Sequence, residues 1–384
     1  MIPIIDSISI EHFRSLRELK IDGLGMVNLI TGRNNTGKSS ILEALRILAA
    51  GAAFPSVISS ILHYREEDIP DAKSSSSSPG IIVNQESSNK CSSLFTGFPK
   101  LSENKKTIKL MSNGGEHSVQ LGISVDFFPE DGRPDGTKQL VQLNPHSPGH
   151  AVFIPSEPPQ VALVFEEPEV KRILPMDYPG FSRGSTFPAA LNEKPRWPCV
   201  FVSPYAGERT ADLVVLWDKI ALSDREKEVV EALKIIAPEI EAVSMIGGEG
   251  QSQMRTAIVR SRSFSHPVPL RSFGDGLNRL FAIVLSLVNS KDGFLLIDEF
   301  ENGMHHTVQL EAWRVIFRTS KLLNVQVFAT SHSWDAVETF QKAAAENPED
   351  GLLIRLSRKG DVVIPTPFRD KELAVATREH IEVR

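Results

Sequence analysis

Cysteine is almost missing from this chain. Only Cys91 and Cys199 occur in 384 residues, too far apart for a disulfide framework or a zinc-spaced pair. That scarcity suits a reducing compartment, and a cytoplasmic location is expected. No run reads as long and apolar enough to span a bilayer, so no membrane role is expected. The first ten residues, MIPIIDSISI, lack the basic region and the long apolar region of a secretory signal. An excess of positive charge is also absent. The formal net charge is −6, which argues against a protein that coats nucleic acid over its whole surface. It leaves room for a local basic patch, and DNA stays possible as a partner without being required.

What is present is a chain long enough for a large core and for two or three lobes at roughly 150 residues each. Its organising stretch is Gly32 to Ser40, GRNNTGKSS. A glycine, four residues, then Gly-Lys-Ser fits the phosphate-loop pattern. Gly32 and Gly37 allow a tight turn, so that the N–H groups of Arg33, Asn34, Asn35 and Thr36 can point at a polyphosphate. Lys38 is long enough to reach the β- and γ-phosphates, the Ser39 hydroxyl can bind Mg²⁺, and Ser40 continues into the helix. The flanks agree: MVNLI (26–30) reads as a buried strand, and 39–50 reads as a helix with one apolar face. A helix N-terminus then faces the anion. The competing reading is a glycine-rich turn that meets the pattern by chance.

Upstream, SISIEHF (7–13) alternates as a strand, with 16–21 as its hairpin partner. Arg14 follows that strand and can reach the nucleotide; a solvated turn residue is the plainer reading. Downstream, residues 55 to about 160 show little helix. Five serines at 74–78 precede Pro79-Gly80 and read as a flexible loop. Short strands are expected at 107–111, 118–127, 139–143, 151–154 and 160–165. His146 and His150 read as a loop pair rather than a metal site. PCVFVSP (198–204) reads as a buried strand, followed by helices at 208–222 and 223–236. Ser223 with Glu226 suggests a capping box. Strands are expected at 242–245 and 254–259, around Gly247-Gly248.

The C-terminal part supplies the rest of a site. RSFGDG (271–276) feeds an apolar helix at 277–289, a second glycine turn at a second helix N-terminus. An ordinary capped helix entry explains it equally well. GFLLIDEFENG (293–303) puts Asp298 and Glu299 at the end of a buried strand, where open α/β sheets bind ligands. An Asp there can hold Mg²⁺, and the adjacent Glu can activate water. VQVFAT (325–330) is another buried strand, and it ends at Ser331-His332-Ser333. His332 can sense a γ-phosphate. A helix at 334–345, a hairpin over 352–364 and a short helix at 370–378 complete the chain.

In this order GRNNTGKSSILEAL, SFGDGLNRLFAI, FLLIDEFENGMHH and FATSHS resemble the ABC-type ATPases of the overcoming-lysogenisation-defect class, related to RecF and the SMC proteins. The opening ISIEHFRSL is similar to the family's first strand. The resemblance covers about the first 50 residues and then about 200–357. It implies ATP and Mg²⁺ as cofactors, with Lys38 and Ser39 on phosphate and metal, Asp298 as a second metal-side ligand, Glu299 as general base and His332 as the switch histidine. It also implies that Ser272, Gly274 and Gly276 form a signature motif contacting the nucleotide of an opposite subunit, hence a homodimer or higher homo-oligomer. Glu301, Asn302 and His305 match the segment after the carboxylates. The signature here reads SFGDG, not the transporter-like SGGQ. No glutamine among Gln120, Gln139, Gln142 and Gln160 stands out as a Gln-loop residue. Heptads for a coiled-coil arm and a zinc hook are lacking. The stretch after His332 reads as too short for a Toprim nuclease, an organisation similar to the ATPase of the PARIS anti-phage system.

The expected fold is α/β: a P-loop NTPase with an ABC-type ATPase head, its mixed sheet flanked by helices. Residues 1–54 and 266–384 would form the ATPase core, 55–197 a β-rich insertion, and 198–265 a strand plus helical lobe. The expected function is Mg²⁺-dependent ATP hydrolysis in a head-to-tail dimer that gates a separate effector, a nuclease or toxin, in anti-phage defence. The competing readings are a RecF-like clamp on DNA and a non-hydrolysing ATP-bound scaffold.

Overall fold

A strand covered on both faces is buried at every position, and Val27–Gly32, Phe294–Ile297 and Gln326–Thr330 meet that condition. They lie side by side in the centre of the molecule. The computed structural model describes residues 2–65, 67, 91–99, 106–114, 117–128, 130–132, 138–140, 160–175, 194–204, 210–247 and 255–383. The serine run at 74–78, the strand expected at 151–154, and His146, Gln142 and His150 lie outside the described residues.

Strands β1 (Ser7–Phe13) and β2 (Leu16–Asp22) form a hairpin, and β3 (Val27–Gly32) runs into helix α1 (Lys38–Ala50) and then α2 (Phe54–Tyr64). Strands β4 (Ile108–Gly114), β5 (His117–Phe128), β6 (Glu130–Gly132), β7 (Lys138–Leu140), β8 (Gln160–Glu167) and β9 (Val170–Pro175) follow. Next come β10 (Cys199–Val202), α3 (Thr210–Asp218), α4 (Asp224–Lys234), β11 (Ile240–Gly247), β12 (Arg255–Ser261) and β13 (Val268–Pro269). The chain continues with α5 (Asp275–Val288), β14 (Phe294–Ile297), α6 (His306–Leu323), β15 (Gln326–Thr330) and α7 (Trp334–Ala345). It closes with β16 (Gly351–Lys359), β17 (Val362–Phe368) and α8 (Asp370–Arg378).

The central sheet has the order β10-β14-β15-β3-β16-β17, parallel except for the edge strand β17. Successive side chains on a strand point to opposite faces, and here they feed two cores. Leu29, Leu295, Ile297, Val327 and Ala329 join α5, α6 and α7 on one face. Ile30, Phe294, Leu296, Phe328 and Ile354 join α1 and α2 on the other. A second sheet, wholly antiparallel in the order β2-β1-β4-β5-β8-β9, covers that second core. Four strands of the 55–197 stretch are thus hydrogen-bonded into the sheet begun by the N-terminal hairpin. This mixed α/β architecture is the fold class expected from the sequence.

Some expectations fail locally. Helix α2 was not expected, because PSVISSILHY is rich in serine and β-branched residues of modest helix propensity. Tertiary burial of Phe54, Ile58, Ile61 and Leu62 on one stripe, with proline in the first turn, overrides that propensity. The α1–α2 run, Lys38–Tyr64, does have the length and composition to cross a membrane, contrary to the first reading. It is broken by a 3₁₀ turn at Gly51–Ala53, and its apolar stripes are packed in the second core. The capping box at Ser223 does not close: Ser223 Oγ donates to the Ile220 carbonyl, and Glu226 accepts from Leu222 N at 2.8 Å.

Candidate functional site

The phosphate loop is held open by backbone geometry that only small residues tolerate. Gly37 has φ +94°, and a Cβ there would stand 2.6 Å from Leu16 Cδ2. Gly32 has φ +143°, and its Cβ would meet the Leu356 carbonyl at 2.6 Å. Asn35, the residue type that best tolerates the left-handed region after glycine, has φ +63°. Lys38 Nζ donates to the carbonyls of Gly32 at 2.7 Å and Arg33 at 3.2 Å. An ammonium carries three donors, so this places a cation over the loop with one more to give. Burial lowers the Lys38 pKa, and the nearby Asp298, Glu299 and Glu301 carboxylates oppose that shift.

Parallel pairing brings the ends of β14, β15 and β3 level, since Ile297 lies beside Ala329 and Thr330 beside Ile30. Asp298 therefore arrives next to the loop: Ser39 Oγ donates to Asp298 Oδ1 at 3.2 Å. Thr330 Oγ1 donates to the same Oδ1 at 2.6 Å and accepts from Glu299 N at 2.9 Å. Glu299 has φ +49°, a strained value for a residue of its size. That kink lets Phe300 N reach the Thr330 carbonyl at 2.9 Å while the Glu299 side chain lines the cleft. Asn302 Nδ2 donates to Glu299 Oε2 at 2.7 Å. His332 lines the same cleft, with its N–H donating to Glu301 Oε1 at 3.0 Å and its Nδ1 3.4 Å from that oxygen.

Arg279 was not singled out from sequence. It projects from α5, otherwise an apolar helix, and is 2% exposed. Its guanidinium donates to the carbonyls of Ser203 at 2.5 Å, Asp298 at 3.1 Å and Glu299 at 3.2 Å. Burial pushes its pKa down to about 10, against the pull of Asp298, Glu301 and Glu299. One charged residue inside an apolar helix was the signal available for it.

The loop and the carboxylates open into a cleft of about 640 Å³. Asn34, Asn35, Thr36, Gly37, Lys38, Ser39 and Ser40 line it, as do Arg14, Asp298, Glu299 and His332. Arg14 is tied down at its rim: Nε donates to Glu43 at 2.7 Å and Nη1 to Glu67 at 2.7 Å. Arg14 Nη2 is buried and has no hydrogen-bond partner among the described residues. Arg65 joins this cluster through Glu43 at 2.6 Å. Ser272, Gly274 and Gly276 lie outside the cleft, at the entry to α5, with Ser272 and Gly274 exposed. Gly274 has φ +97°, and a Cβ there would meet nothing within 4 Å among the described residues. Gln120 is not among the residues that line the cleft. No group of three or more His, Cys, Asp or Glu able to hold a metal occurs among the described residues. The Asp298 carboxylate and Ser39 hydroxyl suit Mg²⁺, which takes one or two protein oxygens and fills its shell with phosphate and water.

Two parts of the chain match ATPase families. Residues 4–145 match the family described as AAA ATPase domain, and residues 194–337 match the AAA domain family described as putative AbiEii toxin, Type IV TA system. An ATP/GTP phosphatase of Helicobacter pylori is 24% identical over 392 residues, covering 96% of each chain. The DNA replication and repair protein RecF of Actinobacillus pleuropneumoniae is 43% identical over 60 residues, 15% of this chain and 17% of its own length. Among solved structures, the SMC head bound to the C-winged helix domain of ScpA aligns with 96% of this chain at 12% identity and a TM-score of 0.48. The SMC head domain from Thermotoga maritima aligns with 95% at 10% identity and a TM-score of 0.47. The phosphate-loop part and the carboxylate part of the chain are thus each similar to AAA-type ATPase domains.

Proposed function

We propose that this chain binds ATP with Mg²⁺ and hydrolyses it, working as a head-to-tail homodimer that gates a separate effector. The observation that carries the reading is the 3.2 Å approach of Ser39 Oγ to Asp298 Oδ1, which joins two motifs 259 residues apart. Loop N–H groups, the α1 N-terminus and Lys38 would bind the β- and γ-phosphates. Ser39 and Asp298 would hold Mg²⁺, which neutralises charge developing on the phosphates. Glu299 would accept a proton from the attacking water as the water oxygen bonds to the γ-phosphorus and the bond to ADP breaks. Asn302 holds Oε2, leaving Oε1 to take that proton. His332 would face the γ-phosphate. Arg14, which lines the cleft while paired with Glu43 and Glu67, would face the nucleotide from that rim.

The dimer is supported by exposed Gly274, with open space before it and a second helix N-terminus behind it. The similarity of residues 194–337 to a family described as putative AbiEii toxin, Type IV TA system, supports a place in a toxin system. The ATP/GTP phosphatase relative supports hydrolysis over a passive scaffold. Isothermal titration of Lys38→Ala tests the loop. Loss of ATP binding is expected, and unchanged affinity removes the assignment.

A further inference from the structure

The phosphate loop accounts for a triphosphate but not for a base, and the remaining lining of the cleft includes an unusual residue. Phe98 is 70% exposed, although most large aromatic rings among the described residues are buried. Its φ is +48°, a region that bulky side chains rarely occupy. Strain and exposure together at a cleft wall point to a ring placed for a ligand.

The backbone around Phe98 is fixed. Phe98 N donates to the Phe95 carbonyl at 3.2 Å, and Thr96 N donates to the His12 carbonyl at 3.0 Å. Thr96 Oγ1 donates to the Leu16 carbonyl at 3.1 Å, and Lys106 Nζ to the Thr96 carbonyl at 3.0 Å. Phe95 itself is fully buried and bridged to Phe13. The ring is thus carried by the β1–β2 turn, the element that also packs on Gly37 of the loop. Ser15 of that turn, Arg17 at the start of β2, and Arg358 and Asp361 of the β16–β17 hairpin line the cleft with it. Arg17 pairs with Asp361 at 3.3 Å, and Arg358 Nη1 donates to the Asn35 carbonyl of the loop at 3.3 Å. A triphosphate whose γ end faces Asp298 and Glu299 sends its base away from those carboxylates, toward walls such as these.

We propose that Phe98 is the stacking platform for the base of the bound nucleoside triphosphate, favouring purines over pyrimidines. The inference rests on the reading of the loop as a triphosphate site. A purine offers the larger π-face, and stacking does not depend on the pattern of hydrogen-bonding groups at its edge. ATP and GTP are therefore both accepted by the platform.

The test is equilibrium titration of the full chain with ATP, CTP and inorganic tripolyphosphate. Phe98→Ala and Phe98→Leu are each expected to weaken ATP about tenfold, at the lower end of what stacking on an aromatic ring supplies. Tripolyphosphate affinity should stay within about twofold, since it has no base. Phe98→Trp should keep ATP affinity and show an indole fluorescence change with ATP that tripolyphosphate does not produce. Equal losses for ATP and tripolyphosphate, or no loss for either, overturn the platform. Lys38→Ala separates the two readings: it should lose both ligands. If it keeps both, the loop assignment fails, whatever Phe98 does.

Discussion

The Thr330 hydroxyl donates to Asp298 Oδ1 at 2.6 Å and, with the same oxygen, accepts from Glu299 N at 2.9 Å. One side chain at the end of β15 therefore orients both carboxylate residues at the end of β14. Thr330 is fully buried, so no water replaces it. Thr330→Val keeps the shape and removes both hydrogen bonds. A buried group left unpartnered costs about 1–3 kcal/mol, so ATP turnover is expected to fall about 10–100-fold. Thr330→Ser should restore most of it. Steady-state phosphate release with parallel ATP titration checks this, binding being expected to change little.

Behind the carboxylates, Phe300 stacks on Trp313 with ring centroids 3.8 Å apart, and Trp313 meets Phe340 edge-on at 5.1 Å. This cluster supports the chain just past the strained Glu299. Trp313→Ala removes a fully buried ring and is expected to cost about 3–5 kcal/mol, read as a lower urea midpoint. Trp313→Phe should be far milder, because Trp313 Nε1 has no hydrogen-bond partner among the described residues.

The proposed dimer makes a complementation prediction. A Cβ at Gly274 meets nothing within 4 Å among the described residues, so the penalty of Gly274→Arg at that atom is the positive φ. Such a chain should bind ATP yet fail to turn it over, because the side chain projects where the opposite nucleotide would sit. Lys38→Ala fails for lack of the loop cation. In an antiparallel mixed dimer both defects fall on one composite site, and the other site is intact. Mixing the two variants should recover a fraction of the wild-type ATPase rate. A Gly274→Arg homodimer with the wild-type rate would rule out a signature acting in trans.

Much of the fold was legible because the central strands are short buried runs and the motifs are local. Trp334–Ala345 and Asp370–Arg378 fall at the bounds read from sequence. The loop and the two carboxylates could be named because each is defined by neighbours within a few residues. What stayed hidden depends on contacts between distant residues. Thr330 matters only because β14 and β15 pair in register, and Arg279 only because Ser203 and Glu299 converge on it. The Arg14, Glu43, Arg65 and Glu67 cluster requires α1 and α2 to pack, and α2 itself is made by burial rather than propensity. Phe98 gave no periodic signal, being a single exposed ring in a loop.

Glu299 is the centre of the account, placed in the cleft by its positive φ, by Thr330 and by Asn302. Glu299→Gln retains size and hydrogen bonding but loses the proton acceptor. The direct measurement is ATP affinity and phosphate release on the same purified variant. The account predicts affinity within about threefold of wild type and a turnover reduced about 10²–10⁴-fold, the contribution of a positioned base. Phosphate release at the wild-type rate would contradict it.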